Sequence, residues 1–481
     1  MRRIPFVAAV LAAVAVPSFA QPPVEPKDGK VVYHLALSPA AVRKPLSRDY
    51  LLPEYRESIP GNKVQMFLRC FMEQDSFFGR EESLKRQKWG ELPIDHPELK
   101  DLKDYGNRLL ERDMYDAARM LQVDWQLWFF VRRDGYNTLL PDLQKFRALA
   151  DVLKIRARGQ IANRNFDGAI HTLKTMVALS TTMSQHPTLI GTLVGVAIAT
   201  IAINTVEEFV AQPGAPNLFW ATTDLPQPFF DLRYSSSGER MFISHDFEKL
   251  TGATGALTDQ ELERTIKDID TMMQVLAPMV ANKGDGKAPK AKPAPREFYT
   301  SWAKDPKRVA AARDRLLGSG FKSDIVRSMP PLQAILTDDI RRYEVLRDES
   351  FKTTSLPLWQ IKQYEADSKP AKLTPDDGLL ADGVIGREFV ASIDKVKNAQ
   401  TRLDQRICYL RIIEAIRLYA NEHEGKLPEK LADVKLPLPI DPFTGVAFEY
   451  AVKDGIATLH GANPQKDNDK LNRYYELTIR K

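Results

Sequence analysis

LPIDPFTGVAFEY, residues Leu438–Tyr450, packs a proline-rich turn and the start of a strand into one short stretch. Asp441-Pro442 followed by Gly445 makes a turn with fixed backbone angles. VAFEYAV (Val446–Val452) then alternates in period two, Asp454-Gly455 signals a hairpin turn, and IATLHGA (Ile456–Ala462) returns as a second strand. RYYELTIR (Arg473–Arg480) alternates again and reads as a third strand. Upstream, RLDQRICYLRIIEAIRLYANEHEG ends a long helical pattern running from about Leu379 to His423. Leu403, Ile407, Leu410, Ile413 and Ile416 keep one face of it, and Asp404, Arg411, Glu414 and Asn421 lie on another. Gly425 is placed to end that helix. Pro428, Leu431, Pro442 and Phe443 are expected to pin a small antiparallel sheet onto it, so 424–481 reads as a C-terminal β-sheet unit.

The same residues carry a resemblance. Leu427-Pro428, Leu431, Asp441-Pro442-Phe443, Gly445, Phe448 and Tyr450, behind a helix end containing Tyr419, resemble the globular head of type II secretion pseudopilins over about 402–465. The resemblance implies a helix-plus-sheet module used for assembly and contact. It also implies calcium ligands in a loop near the end. The comparable loop, ANPQKDNDKLN (Ala462–Asn472), offers Asn463, Asp467 and Asp469, with Lys466 and Lys470 opposing a dication. No metal and no cofactor are expected beyond those three candidate ligands. The chain departs from that family at its start, where the family carries an apolar assembly helix.

Instead it opens on MRRIPFVAAVLAAVAVPSFA: two arginines, an apolar run, and small residues at Ser18 and Ala20. That is the pattern of a secretory signal peptide, 1–20, cut after Ala20. A Pro-rich flexible leader is expected over 21–39. The whole chain looks like a secreted bacterial protein, periplasmic or extracellular. Its formal net charge of +5 falls to +3 once Arg2 and Arg3 leave with the signal, and acidic residues interrupt the basic ones. No nucleic-acid-binding stripe is expected. Cys70 and Cys408 each sit in an apolar helical context and read as buried thiols, though export permits a disulfide.

The remainder is read as mainly α: a helical bundle or short helical-hairpin array with the small antiparallel sheet packed on the long helix. A helical domain spans 40–281 and a second helical region 298–423, separated by the Gly-, Pro- and Lys-rich 282–297, a flexible linker or exposed loop. Within the first, RDMYDAARML (Arg112–Leu121) echoes RNFDGAIHTL (Arg164–Leu173), and 103–183 resembles tetratricopeptide-like helix pairs. TLIGTLVGVAIATIAINTV (Thr188–Val206) carries no charge, with Gly191, Gly195 and Ala199 four apart. It reads as a buried core helix and no stable membrane span is expected. Gln212–Arg233, broken by Pro213, Pro216, Pro226 and Pro228, reads as an aromatic loop around Trp220 that packs or lines a groove.

Catalytic motifs are missing: no G-x-S-x-G, H-E-x-x-H, P-loop or G-x-G-x-x-G before a helix. His34, His96, His171, His186, His245, His423 and His460 share no metal-ligand spacing. Ser301–Lys304, Ser319–Lys322 and Ser392–Lys395 have serine–lysine spacing without the companion motifs of that chemistry. These observations lead to an exported, non-catalytic interaction or scaffold protein of the cell envelope with a protein partner. The alternative is an exported hydrolase with an unfamiliar site, lined by the loop at Trp220.

Overall fold

Apolar residues recurring every three to four positions make helices of most of this chain. The computed structural model describes residues 24–27, 30–72, 76–134, 138, 140–252, 255–280, 295–368, 385–462 and 472–480. The signal segment 1–20 lies outside the described residues. So do Asn463, Asp467 and Asp469.

Three successive helices build the first layer: α1 (Asp142–Ala162), α2 (Phe166–Ser184) and α3 (Leu189–Val210). The turn between α1 and α2 is set by Arg164, at φ 57°, and by Asn165, whose side chain accepts from the Gly168 N–H at 3.1 Å. Thr188 caps α3 by accepting from the Gly191 N–H at 3.0 Å. The small residues of α3 meet neighbours inside the protein. A Cβ on Gly191 would stand 1.9 Å from His186 Nδ1, and one on Gly195 would stand 2.6 Å from the Phe230 ring. The helix is long and apolar enough to cross a membrane, and 72% of its most apolar stretch is buried inside the fold.

The expected helical run over 103–183 breaks in its first half. Short helical pieces over Asn107–Arg119 give way to a strand, Met120–Gln122, paired in parallel with Ile59–Asn62. The Asn62 side chain holds that pairing by accepting from the Asp124 N–H and donating to the Asp124 carbonyl. The two echoing segments therefore differ in structure: Arg112–Leu121 ends in a strand, whereas Arg164–Leu173 opens α2.

A second layer comprises α4 (Leu232–Asp246), α5 (Asp259–Val280), α6 (Pro295–Ala303), α7 (Pro306–Gly318) and α8 (Pro331–Phe351). Asp305 caps α7, accepting from the Lys307 N–H at 2.9 Å. Leu262 and Ile266 of α5 share one core with Tyr299 of α6 and with Ile335, Leu336 and Ile340 of α8. Residues on both sides of 282–297 thus pack together. Of that segment, 282–294 lie outside the described residues and 295–297 open α6.

α9 (Leu358–Ser368) leads toward α10 (Ile385–Glu422), about 57 Å long at 1.5 Å per residue. Ile393 and Val396 of α10 enter the second core, and Leu403, Ile407, Leu410, Ile413 and Ile416 enter the first. One helix is shared by both.

The C-terminal strands are β3 (Glu449–Lys453), β4 (Ile456–His460) and β5 (Tyr474–Ile479). The sheet is not purely antiparallel. Two strands from the expected flexible leader, β1 (Val24–Lys27) and β2 (Lys30–Leu37), complete the order β1-β2-β5-β4-β3. β2 runs parallel to β5, with Val32 opposite Tyr474 and Leu37 opposite Ile479. The reason is burial: Tyr33, Leu35 and Leu37 alternate inward beside Tyr475 and Leu477. Tyr409 of α10 anchors the sheet, its ring 5.1 Å from Tyr475 and 4.9 Å from Phe448.

Candidate ligand-binding cavity

The opening stretch builds a wall. Asp441 is its staple. Its Oδ1 accepts from the Phe443 N–H at 2.9 Å, and its Oδ2 accepts from the Ala462 N–H at 2.6 Å. Gln405 of α10 donates to the same carboxylate. Gly445, at φ +73°, lets the turn close against the Trp359 indole, where a Cβ would come within 2.6 Å of the ring. Phe443 and Phe448 are buried beneath, and the Tyr450 hydroxyl donates to the Pro428 carbonyl at 2.9 Å.

Between this wall and α10 lies a cavity of about 550 Å³. Its floor is one stripe of α10: Lys397, Thr401, Asp404, Cys408 and Arg411, spaced three and four apart. Pro226, Gln227 and Pro228 form a second wall, and residues 354–361, including Leu356 and Trp359, form a third. The volume falls in the range of small-molecule sites, ~300–1,000 Å³, and the lining is mainly apolar.

Several floor residues hold the walls. The Lys397 ammonium donates to the Ser350 carbonyl at 3.1 Å and to the Thr353 hydroxyl at 3.0 Å, fastening the end of α8. The Gln400 amide donates to the Phe230 carbonyl at 2.9 Å, fastening the proline loop. Burial lowers the Lys397 pKa.

Asp404 and Arg411 are different. The Asp404 Oδ1 accepts from the Phe229 N–H at 2.9 Å, and no cation pairs with the carboxyl among the described residues. Burial raises its pKa to about 7, with the Phe229 hydrogen bond opposing. Arg411 is 6% exposed, donates to the Pro437 carbonyl at 3.4 Å, and has no hydrogen-bond partner at Nε. No carboxylate pairs with it among the described residues. Between them sits Cys408, whose thiol burial pushes up to about 12, leaving it protonated and a poor nucleophile.

The other singled-out residues fall elsewhere. Cys70 and Cys408 are both buried and free, and the Cys70 thiol is likewise pushed up to about 12. Ser301, Lys304, Ser319 and Lys322 are exposed at helix ends, and the side chain of Ser392 lies outside the described residues. His34 and His460 face Glu476 and Glu449 across the sheet at 3.2 and 3.3 Å. His186 is buried beside Thr188, its pKa lowered to about 3 by desolvation. Among the described residues, no three His, Cys, Asp or Glu side chains gather to hold a metal. Trp220 packs near Phe219 and Val434 and does not line the cavity. The proline end of its loop does. Sequence reasoning placed Asp404 and Arg411 on the polar face of the helix without identifying a site. The three- and four-residue spacing of the stripe was the available signal.

No family model matches this chain, nor does any curated protein or any solved structure.

Proposed function

We propose that the protein is an exported, non-catalytic binding protein of the cell envelope, taking its ligand in the cavity over α10. The observation that supports this reading is the character of the cavity floor. It presents an acid and an arginine without mutual pairing and a thiol held protonated, and Thr353, whose hydroxyl accepts from Lys397, is not among the residues that line it. Apolar walls supply binding area, and the few polar groups supply orientation. Export rests on the signal pattern at 1–20. On this reading α3 is a core helix, and the two helical layers are the scaffold that holds the cavity open.

Nile red fluorescence tests the binding reading. Wild-type protein gives a saturable rise, and Ile440→Glu, placing a charge on an exposed wall residue, reduces it at least tenfold. Equal dye binding by both proteins argues that the cavity is not the site. Mature protein recovered from the envelope and beginning at Gln21 supports the export reading. An N-terminus retained at Met1 argues against it.

Asp404 favours one alternative, an exported hydrolase. A carboxyl titrating near 7 in a cavity suits a general base. Turnover of ester or peptide substrates that disappears in Asp404→Asn establishes that alternative and overturns the non-catalytic reading.

A further inference from the structure

Asp404 and Arg411 stand seven residues apart on one face of α10, their Cα atoms about 10 Å apart along the axis at 1.5 Å of rise per residue. They are too far apart to neutralise each other, and neither has an oppositely charged partner among the described residues. Arg411 is buried and Asp404 half-buried; leaving such charges without partners is costly, so a ligand that supplies both counter-charges gains from both ends. A free amino acid cannot span the gap, because its two charges flank a single Cα. A peptide extends by 3.3–3.6 Å per residue, so three residues reach about 10 Å.

The walls add a second requirement. Leu356, Trp359, Ile407 and Ile440 present apolar surface to whatever lies between the two charges. Prolines at 226, 228, 437 and 439 line the cavity as well and bring no backbone N–H donors.

Resting on the binding reading above, we propose that the cavity takes a short apolar peptide of about three residues with both termini free, its ammonium on Asp404 and its carboxylate on Arg411. Cys408, lying between them as a neutral thiol, faces the middle of the peptide. The second oxygen of Asp404 receives the ammonium while Oδ1 keeps the Phe229 N–H. The guanidinium offers the carboxylate the donors that the Pro437 carbonyl leaves unused.

The test is isothermal titration of the full-length mature protein with Ala-Leu-Ala, its N-acetylated form and its C-terminal amide. The free peptide is expected to bind at least tenfold more tightly than either capped form. In Asp404→Asn the acetylated and free peptides bind alike, while the penalty for amidation persists. In Arg411→Gln the reverse holds. Circular dichroism of both variants confirms that they fold. Capped peptides that bind as tightly as the free one overturn the assignment of the termini. If no peptide binds but Nile red still enters in an Ile440-dependent manner, the peptide inference falls and the cavity reading stands. If neither binds, both fall.

Discussion

Two acid–arginine pairs lie three residues apart on α10 and meet opposite fates. Glu414 and Arg417 are separated by one helical turn and bond directly at 2.6 Å, both 0% exposed. Every further group is taken up: Arg417 donates to the Ser38 carbonyl at 3.0 Å and the Ala215 carbonyl at 2.7 Å, and Glu414 accepts from the Leu218 N–H at 2.8 Å. That pair sews the chain after β2 and the 212–218 segment onto the helix. Asp404 and Arg411 are two turns apart and cannot meet. Asp404 answers burial by shifting its pKa toward neutrality rather than by pairing. Spacing along one helix separates a pair that holds the fold from a pair left open to a ligand.

Glu414→Ala sharpens the contrast with the largest effect. It leaves a fully buried guanidinium without its carboxylate and the Leu218 N–H without an acceptor. The expected loss is about 3–5 kcal/mol, read from urea unfolding. A loss below about 1 kcal/mol breaks the claim that this pair is structural. Gly445→Ala comes next, on the open side. A side chain at φ +73° is strained by about 1–2 kcal/mol, and the added Cβ must displace the Trp359 indole. Stability falls by about 1–3 kcal/mol and Nile red binding weakens with it. Unchanged dye binding in a folded variant would show that the Gly445–Trp359 contact does not shape the cavity.

The turns were the more legible in sequence, and for local reasons. Asp441-Pro442 and Gly445 announce their turn within a few residues. Asp454-Gly455 announces a hairpin found at β3 and β4. The alternation of Tyr33, Leu35 and Leu37 was also visible, but a parallel partner at Tyr474–Ile479 lies at the other end of the chain, and nothing local names it. A Pro-rich neighbour drew the whole of 21–39 into the leader. The cavity was hidden for the same reason. Its floor is legible as a stripe at helical spacing, but its walls arrive from 226–228, 354–361 and 437–442, and only the fold brings them together. Helix starts are legible where capping residues mark them, as Asp305 before Pro306 marks the start of α7. They failed at Met120–Gln122, where pairing with Ile59–Asn62 overrode a helical pattern.

Asp404→Asn is expected to raise stability rather than lower it, and it has the most specific signature. The folded-state pKa of about 7 lies above the ordinary aspartate value near 3.9. Between those values the folded chain holds a proton that the unfolded chain has released. The stability from the neutral carboxyl is therefore complete below pH ~4 and is lost as pH rises through about 7. Asparagine retains an acceptor for the Phe229 N–H and carries no charge at any of these pH values. The variant is expected to match wild type near pH 4 and to exceed it by up to a few kcal/mol above pH 7. Measuring unfolding of both proteins from pH 4 to 8 and taking the difference cancels other titrations, including those of Glu239 and His186. A difference that stays flat across that range would mean that Asp404 is already paired or solvated, and the contrast between the open and closed pairs would fail on the open side.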